Sequence, residues 1–179
     1  MDSPFMRDFA ALVAAEGVRV VRFEFPYMAA RRTGSRRPPD REPVLRRTWL
    51  EVIEALGGGS QVVVGGKSMG GRFASMVADE AKVRGLVCLG YPFHPTGQPE
   101  NLRTAHLETL RTPSLFVQGE RDPFGTREEV EGYALSKRIR LLWMPDGDHS
   151  LKPRKSSGFT HEQHMQTAAQ AVVEFVRRR

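Results

Sequence analysis

Gln61-Val62-Val63-Val64-Gly65-Gly66-Lys67-Ser68-Met69-Gly70-Gly71 opens as a short apolar strand, breaks into glycines around one serine, and leads into a helix-like stretch to Ala81. A strand over Gln61 to Gly65 that turns sharply into a helix at Met69 leaves Ser68 at the apex of the turn. The backbone there is strained, and side chains two residues to either side would clash. Glycines at Gly66 and Gly70 give the spacing G-x-S-x-G. The helix starting behind the serine offers unpaired N–H groups and a positive dipole end, so Met69 N–H is the expected oxyanion donor. The triplet Gly66-Lys67-Ser68 also suits a phosphate loop. That motif needs a further glycine where Gln61 stands, which argues against it.

Working outward from this stretch, helix-like and strand-like segments alternate. Residues 4–16 have apolar side chains at helical spacing and stop at Gly17. Val18 to Phe25 is β-rich, and 27–43 is polar with glycine, proline and arginine, the composition of a loop. Val44 to Leu56 reads as a helix. Strands are expected at Arg84 to Leu89, Ser114 to Gln118 and Ile139 to Met144. Helices are expected near 104–110, at Thr126 to Leu135 and from His161 to Val176, with Thr160 and Gln163 at capping-box spacing. The strands are short and continuously apolar, as in a sheet covered on both faces. The fold class is therefore α/β, a mostly parallel sheet with helices on both faces, in one domain spanning residues 1–179. In such sheets the chemistry sits in loops at the carboxyl ends of the strands.

Those loops hold the partners a serine needs. A hydroxyl is a poor nucleophile without a base, and the base must be oriented by a carboxylate. After Ser114 to Gln118 comes Gly119-Glu120-Arg121-Asp122-Pro123, a tight turn that re-aims Asp122. After the last strand comes Asp146-Gly147-Asp148-His149-Ser150, with His149 as base. Asp146, Asp148 and Glu120 compete for the acid's role. The two aspartates are so near His149 in sequence that reaching its ring from the correct side is less natural. His94 is a rival base but follows the wrong strand and suits a pocket wall.

Lysines and arginines exceed acids by 27 − 21 = 6, and Arg31, Arg32, Arg36, Arg37, Arg41, Arg46 and Arg47 crowd one segment. No aromatic residues interleave them, so a solvated loop is expected rather than a nucleic-acid surface. No run approaches a membrane span, and the start lacks a signal-peptide layout. Cys88 has no partner within the chain and reads as a small buried apolar residue, in keeping with a reduced cytoplasm.

The sequence resembles the α/β-hydrolase superfamily, in its dienelactone-hydrolase-like region of small bacterial proteins, whose eukaryotic relatives include a subunit of a chromatin-modifying complex. The resemblance rests on Met1-Asp2-Ser3-Pro4-Phe5-Met6, Arg22 to Met28, Gly65 to Gly71, Tyr91 to His94, Gln118 to Pro123 and Lys152 to Ser156. It implies a triad of Ser68, Asp122 and His149 and no lid domain, since only residues 91–112 occupy the position where lids are inserted. In relatives, a strand and a glycine-rich loop supplying a second oxyanion donor precede the Met1-Asp2-Ser3-Pro4 segment. That strand lies between those matching 18–25 and 61–65. The expectation is a start that omits these residues, the alternative being a sheet that closes differently. Loss of one oxyanion donor costs about 10²–10³ in rate.

The expected function is hydrolysis of a small carboxylic ester or thioester through an acyl-enzyme, with no cofactor or metal. Lys67 is expected either to tether structure or to aid an anionic substrate. The alternative from another class is a catalytically silent interaction module that keeps the fold.

Overall fold

A computed structural model describes residues 3–34 and 36–179; Met1 and Asp2 of the first resemblance motif lie outside the described residues. Four parallel strands form one sheet in the order β1 (Val63–Lys67), β2 (Gly85–Leu89), β3 (Ser114–Gly119), β4 (Ile139–Met144). β2 and β3 are buried along their whole lengths, which explains their unbroken apolar sequences. β4 has the expected limits. β1 starts two residues later than expected, because Gly59–Gln61 is drawn into a 3₁₀ turn first.

Helices cover both faces. α1 (Pro4–Ala15) starts with Ser3 accepting from Met6 N–H at 3.3 Å and with proline in its first turn, where a missing donor costs nothing. It lies with α7 (His161–Arg177) on one face, where Phe9, Val13, Val172 and Phe175 pack on Val87, Leu115 and Val117. The expected capping box of Thr160 and Gln163 is formed. On the other face α3 (Glu42–Ala55) presents Leu45, Trp49 and Ile53 to α4 (Met69–Val77), and this layer joins Phe73, Leu86 and Phe116. Each large apolar side chain buried here contributes about 1.5–3 kcal/mol.

Three expectations are corrected. Val18 to Phe25 is not a strand: it crosses from α1 to α2 without joining a ladder, and Val20 and Val21 are exposed. A β-rich stretch becomes a strand only beside a neighbour that accepts its hydrogen bonds, and among the described residues β1 pairs on one side only, with β2. The segment 27–43 is not all loop, because α2 (Pro26–Arg32) occupies its start, with Pro26 at the helix N-terminus. The helix expected to reach Leu135 is shorter: α6 (Arg127–Glu131) stops where Gly132 caps it.

Between β2 and β3 there is a single-turn helix, α5 (Ala105–Glu108), and no lid domain among the described residues. Among those residues, no helix is long and apolar enough to cross a membrane.

Candidate active site

The carboxyl ends of β1, β3 and β4 bring three of the expected residues into one chain of hydrogen bonds. Ser68 caps α4 with φ +52°, a conformation most side chains avoid. Its N–H donates to Leu89 O at 2.9 Å, so β2 holds the apex in place. His149 Nε2 lies 2.9 Å from Ser68 Oγ, and His149 Nδ1 lies 2.8 Å from Asp122 Oδ2. An ionised carboxylate only accepts, which assigns the ring proton to Nδ1 and leaves Nε2 to accept from the serine hydroxyl. Met69 N–H is among the first-turn donors of α4 that have no partner within the helix.

The glycines around the serine do not share the work as the motif suggests. A Cβ on Gly66 would stand 2.6 Å from Gly70 C, and one on Gly71 would stand 2.6 Å from Gly66 O and 3.2 Å from Cys88 Sγ. Gly70 faces open space. The close approach therefore needs Gly66 and Gly71, not Gly70. Cys88 is fully buried beneath this contact, with its thiol pushed well up by desolvation.

Asp122 is fully buried and fully engaged. Besides His149, its Oδ1 accepts from Phe124 N–H at 2.9 Å and its Oδ2 from Gln118 Nε2 at 3.0 Å. Gln118 opens one of the segments that carry the resemblance, but its sequence suggests no role for it beyond the last residue of an apolar strand. It is fully buried; its Oε1 accepts from Tyr91 N–H at 2.7 Å, and its amide nitrogen also faces Tyr91 O and Gly125 O, each at 3.2 Å. One side chain thus joins the loops after β2 and β3. The Phe124 ring packs on His149 with centroids 4.5 Å apart.

The competing residues are used elsewhere. Asp146 pairs with Arg121 and Arg154, and those partners hold its carboxyl at about 2, with the Arg154 hydrogen bond the largest cause. Glu120 pairs with Arg127, and Asp148 accepts from the N–H groups of Ser150 and Lys152. His94 is buried with Nδ1 2.8 Å from Pro95 O and Nε2 3.5 Å from Glu129, not at the serine. Lys67 points to the α1 side, its ammonium 5.2 Å from the centre of the Phe5 ring, and desolvation lowers its pKa. Among the described residues no group of His, Cys, Asp and Glu is arranged to hold a metal ion. Two shallow surface hollows lie away from these residues, one along α1, β4 and α7 and the other at the end of α3.

The family described as "Alpha/beta hydrolase domain" matches residues 1–177, and the chain belongs to it. Solved structures agree in fold. The esterase domain of a Rhodothermus marinus protein is 16% identical, with a TM-score of 0.67 over 97% of this chain and 80% of that one. An alpha-beta serine hydrolase homologue from Coxiella burnetii is 19% identical, with a TM-score of 0.68 over 97% and 76%. An alpha/beta-superfamily protein from Xanthomonas campestris is 23% identical, with a TM-score of 0.69 over 99% and 92%.

Proposed function

We propose that this protein is a serine hydrolase of small carboxylic esters or thioesters, with Ser68 as nucleophile, His149 as general base and acid, and Asp122 as the group that orients it. The observation that carries this reading is the position of His149, within hydrogen-bond reach of Ser68 on one side and Asp122 on the other. As Ser68 Oγ attacks the carbonyl carbon, its proton passes to His149 Nε2, and Met69 N–H stabilises the oxygen that becomes negative. His149 then returns that proton to the departing alkoxide or thiolate, leaving Ser68 acylated. A water molecule, deprotonated by His149, attacks the acyl carbon; the bond to Ser68 Oγ breaks, His149 returns the proton to that oxygen, and the acid leaves. The short connection between β2 and β3 leaves the site open, which favours a small substrate.

The test is labelling with a fluorophosphonate probe, wild type against Ser68→Ala, both checked for folding by circular dichroism. Labelling of the wild type alone is the expected result. A folded wild type that stays unlabelled overturns the hydrolase reading and leaves a non-catalytic interaction module in its place.

A further inference from the structure

The loop that carries His149 is folded against the loop that carries Asp122, and one residue joins the two by both backbone and side chain. Arg121 adjoins Asp122 in sequence. Its Nε donates to Asp146 O at 3.0 Å and stands 2.8 Å from Asp146 Oδ1. Its backbone N–H donates to Gly147 O at 2.9 Å. Beside it, Glu120 Oε2 accepts from Asp146 N–H at 3.0 Å, while Glu120 Oε1 accepts from Arg127 at 2.9 Å. The two loops lie so close that a Cβ on Gly119 would stand 2.3 Å from Asp148 O.

Asp146 needs support from outside its own loop. It has φ +54°, a conformation that a residue with a side chain keeps only where its surroundings hold it. Its carboxylate accepts from Arg154 N–H at 2.7 Å and pairs with the Arg154 guanidinium. Arg154 belongs to the same connection between β4 and α7, so it braces that connection against itself. Arg121 and Glu120 come from the other loop and fix where the braced loop sits. The Arg121 side chain is 38% exposed, and an ion pair so placed adds little to stability. Its position is what matters. Asp122 Oδ2 and His149 Nδ1 are 2.8 Å apart, and each belongs to one of the two loops that Arg121 joins. The spacing of those loops at Arg121 and Asp146 therefore governs the contact between acid and base.

We propose that Arg121 is a positioning residue for the reaction of Ser68: it clamps the His149 loop onto the Asp122 loop and so keeps the imidazole within reach of its carboxylate. This rests on the hydrolase reading above, and Arg121 acts through His149 rather than on the substrate.

The experiment measures hydrolysis of p-nitrophenyl butyrate by wild type, Arg121→Gln, Arg121→Lys and Arg138→Gln, each checked for folding by circular dichroism. Arg121→Gln is expected to lower kcat by about 10- to 100-fold at little-changed KM, since a misplacement of about 1 Å costs on the order of 10² in rate. Arg121→Lys keeps the charge but not the guanidinium fork, and is expected to recover part of that loss. Arg138→Gln, the same charge change at an exposed site, keeps the wild-type kcat. The second readout is the downfield proton NMR signal of His149 Nδ1–H, the mark of an imidazole N–H held by a carboxylate. It is expected in wild type and Arg138→Gln, and moved upfield or broadened away in Arg121→Gln. An unchanged signal or an unchanged kcat in folded Arg121→Gln overturns the proposal, whatever happens to its stability. So does a loss confined to KM, or an equal loss in Arg138→Gln. If Arg121→Gln does not fold, Arg121→Lys is judged by the same two criteria. If the wild type neither labels nor turns over the ester, the hydrolase reading has failed and the NMR signal alone decides the clamp. A signal altered only by substitution of Arg121 keeps it, and a signal absent from wild type or identical in all variants removes it.

Discussion

Gly90 and His149 are in contact through the space a side chain would need: a Cβ on Gly90 would stand 2.7 Å from His149 O and 3.3 Å from its Nδ1. Gly90 also has φ +60°, so both backbone and neighbour exclude a side chain. Gly90→Ala is expected to push the His149 loop outward and break the Nδ1–Asp122 geometry. A displacement of about 1 Å costs on the order of 10² in rate. Pre-steady-state labelling by a fluorophosphonate would read this, and a wild-type rate in a folded Gly90→Ala protein would contradict it.

Asp122→Asn keeps the shape of the side chain and removes the acceptor that fixes the proton on Nδ1. The expected loss in kcat is about 10⁴, with little change in secondary structure. A loss under 10-fold, measured on any ester the wild type cleaves, would mean another group orients His149.

Gln118→Leu should damage stability and activity together. It leaves the buried Tyr91 N–H and the Gly125 carbonyl without their partner and takes one donor from Asp122. Each unsatisfied buried group costs about 1–3 kcal/mol. Urea unfolding should show a loss of at least about 2 kcal/mol, and the labelling rate of the remaining folded protein should fall.

The two glycines that follow Met69 should behave oppositely. Gly70→Ala meets open space on a helix and is expected to raise stability by about 0.5–1 kcal/mol. Gly71→Ala drives a methyl into Gly66 O and Cys88, and is expected to lower it by about 1–3 kcal/mol. Thermal unfolding of the two variants side by side checks the sign of each.

Asp146 predicts the shape of the acid limb of stability. Its carboxyl is held at about 2 against an ordinary 3.8, chiefly by the Arg154 side chain. A group with a depressed folded pKa stabilises above its unfolded value, and that contribution fades as pH falls from about 4 towards 2. Melting temperature followed across that range should fall more steeply in wild type than in Asp146→Asn. Parallel curves would show that this carboxylate does not anchor the loop before His149.

Much of this was legible in the sequence because it is local. β4 has the expected ends, the Thr160–Gln163 capping box forms, and Ser68, Asp122 and His149 stand at the carboxyl ends of β1, β3 and β4, in hydrogen-bond reach of one another. What was not legible depends on neighbours. Val18 to Phe25 has a strand's composition but no adjacent ladder to join. α2 hides in a proline- and arginine-rich segment whose composition resembles a loop. Gln118 has no role readable from its sequence, because its amide acquires meaning only when the loops after β2 and β3 close around it. The choice of Gly71 over Gly70 needs the position of Cys88 on the neighbouring strand.

Among the described residues β1 pairs on one side only, with β2, and this makes the serine a cantilever. Its strand has two glycines in five residues and is anchored laterally by β2, with the last tie running from Ser68 N–H to Leu89 O. Any opening of that single ladder tilts the whole beam and carries Oγ away from His149. Rigidity at the tip is therefore set by a row of backbone hydrogen bonds several residues behind it. Amide exchange along Val63 to Lys67 and the speed of acylation should rise and fall as one property.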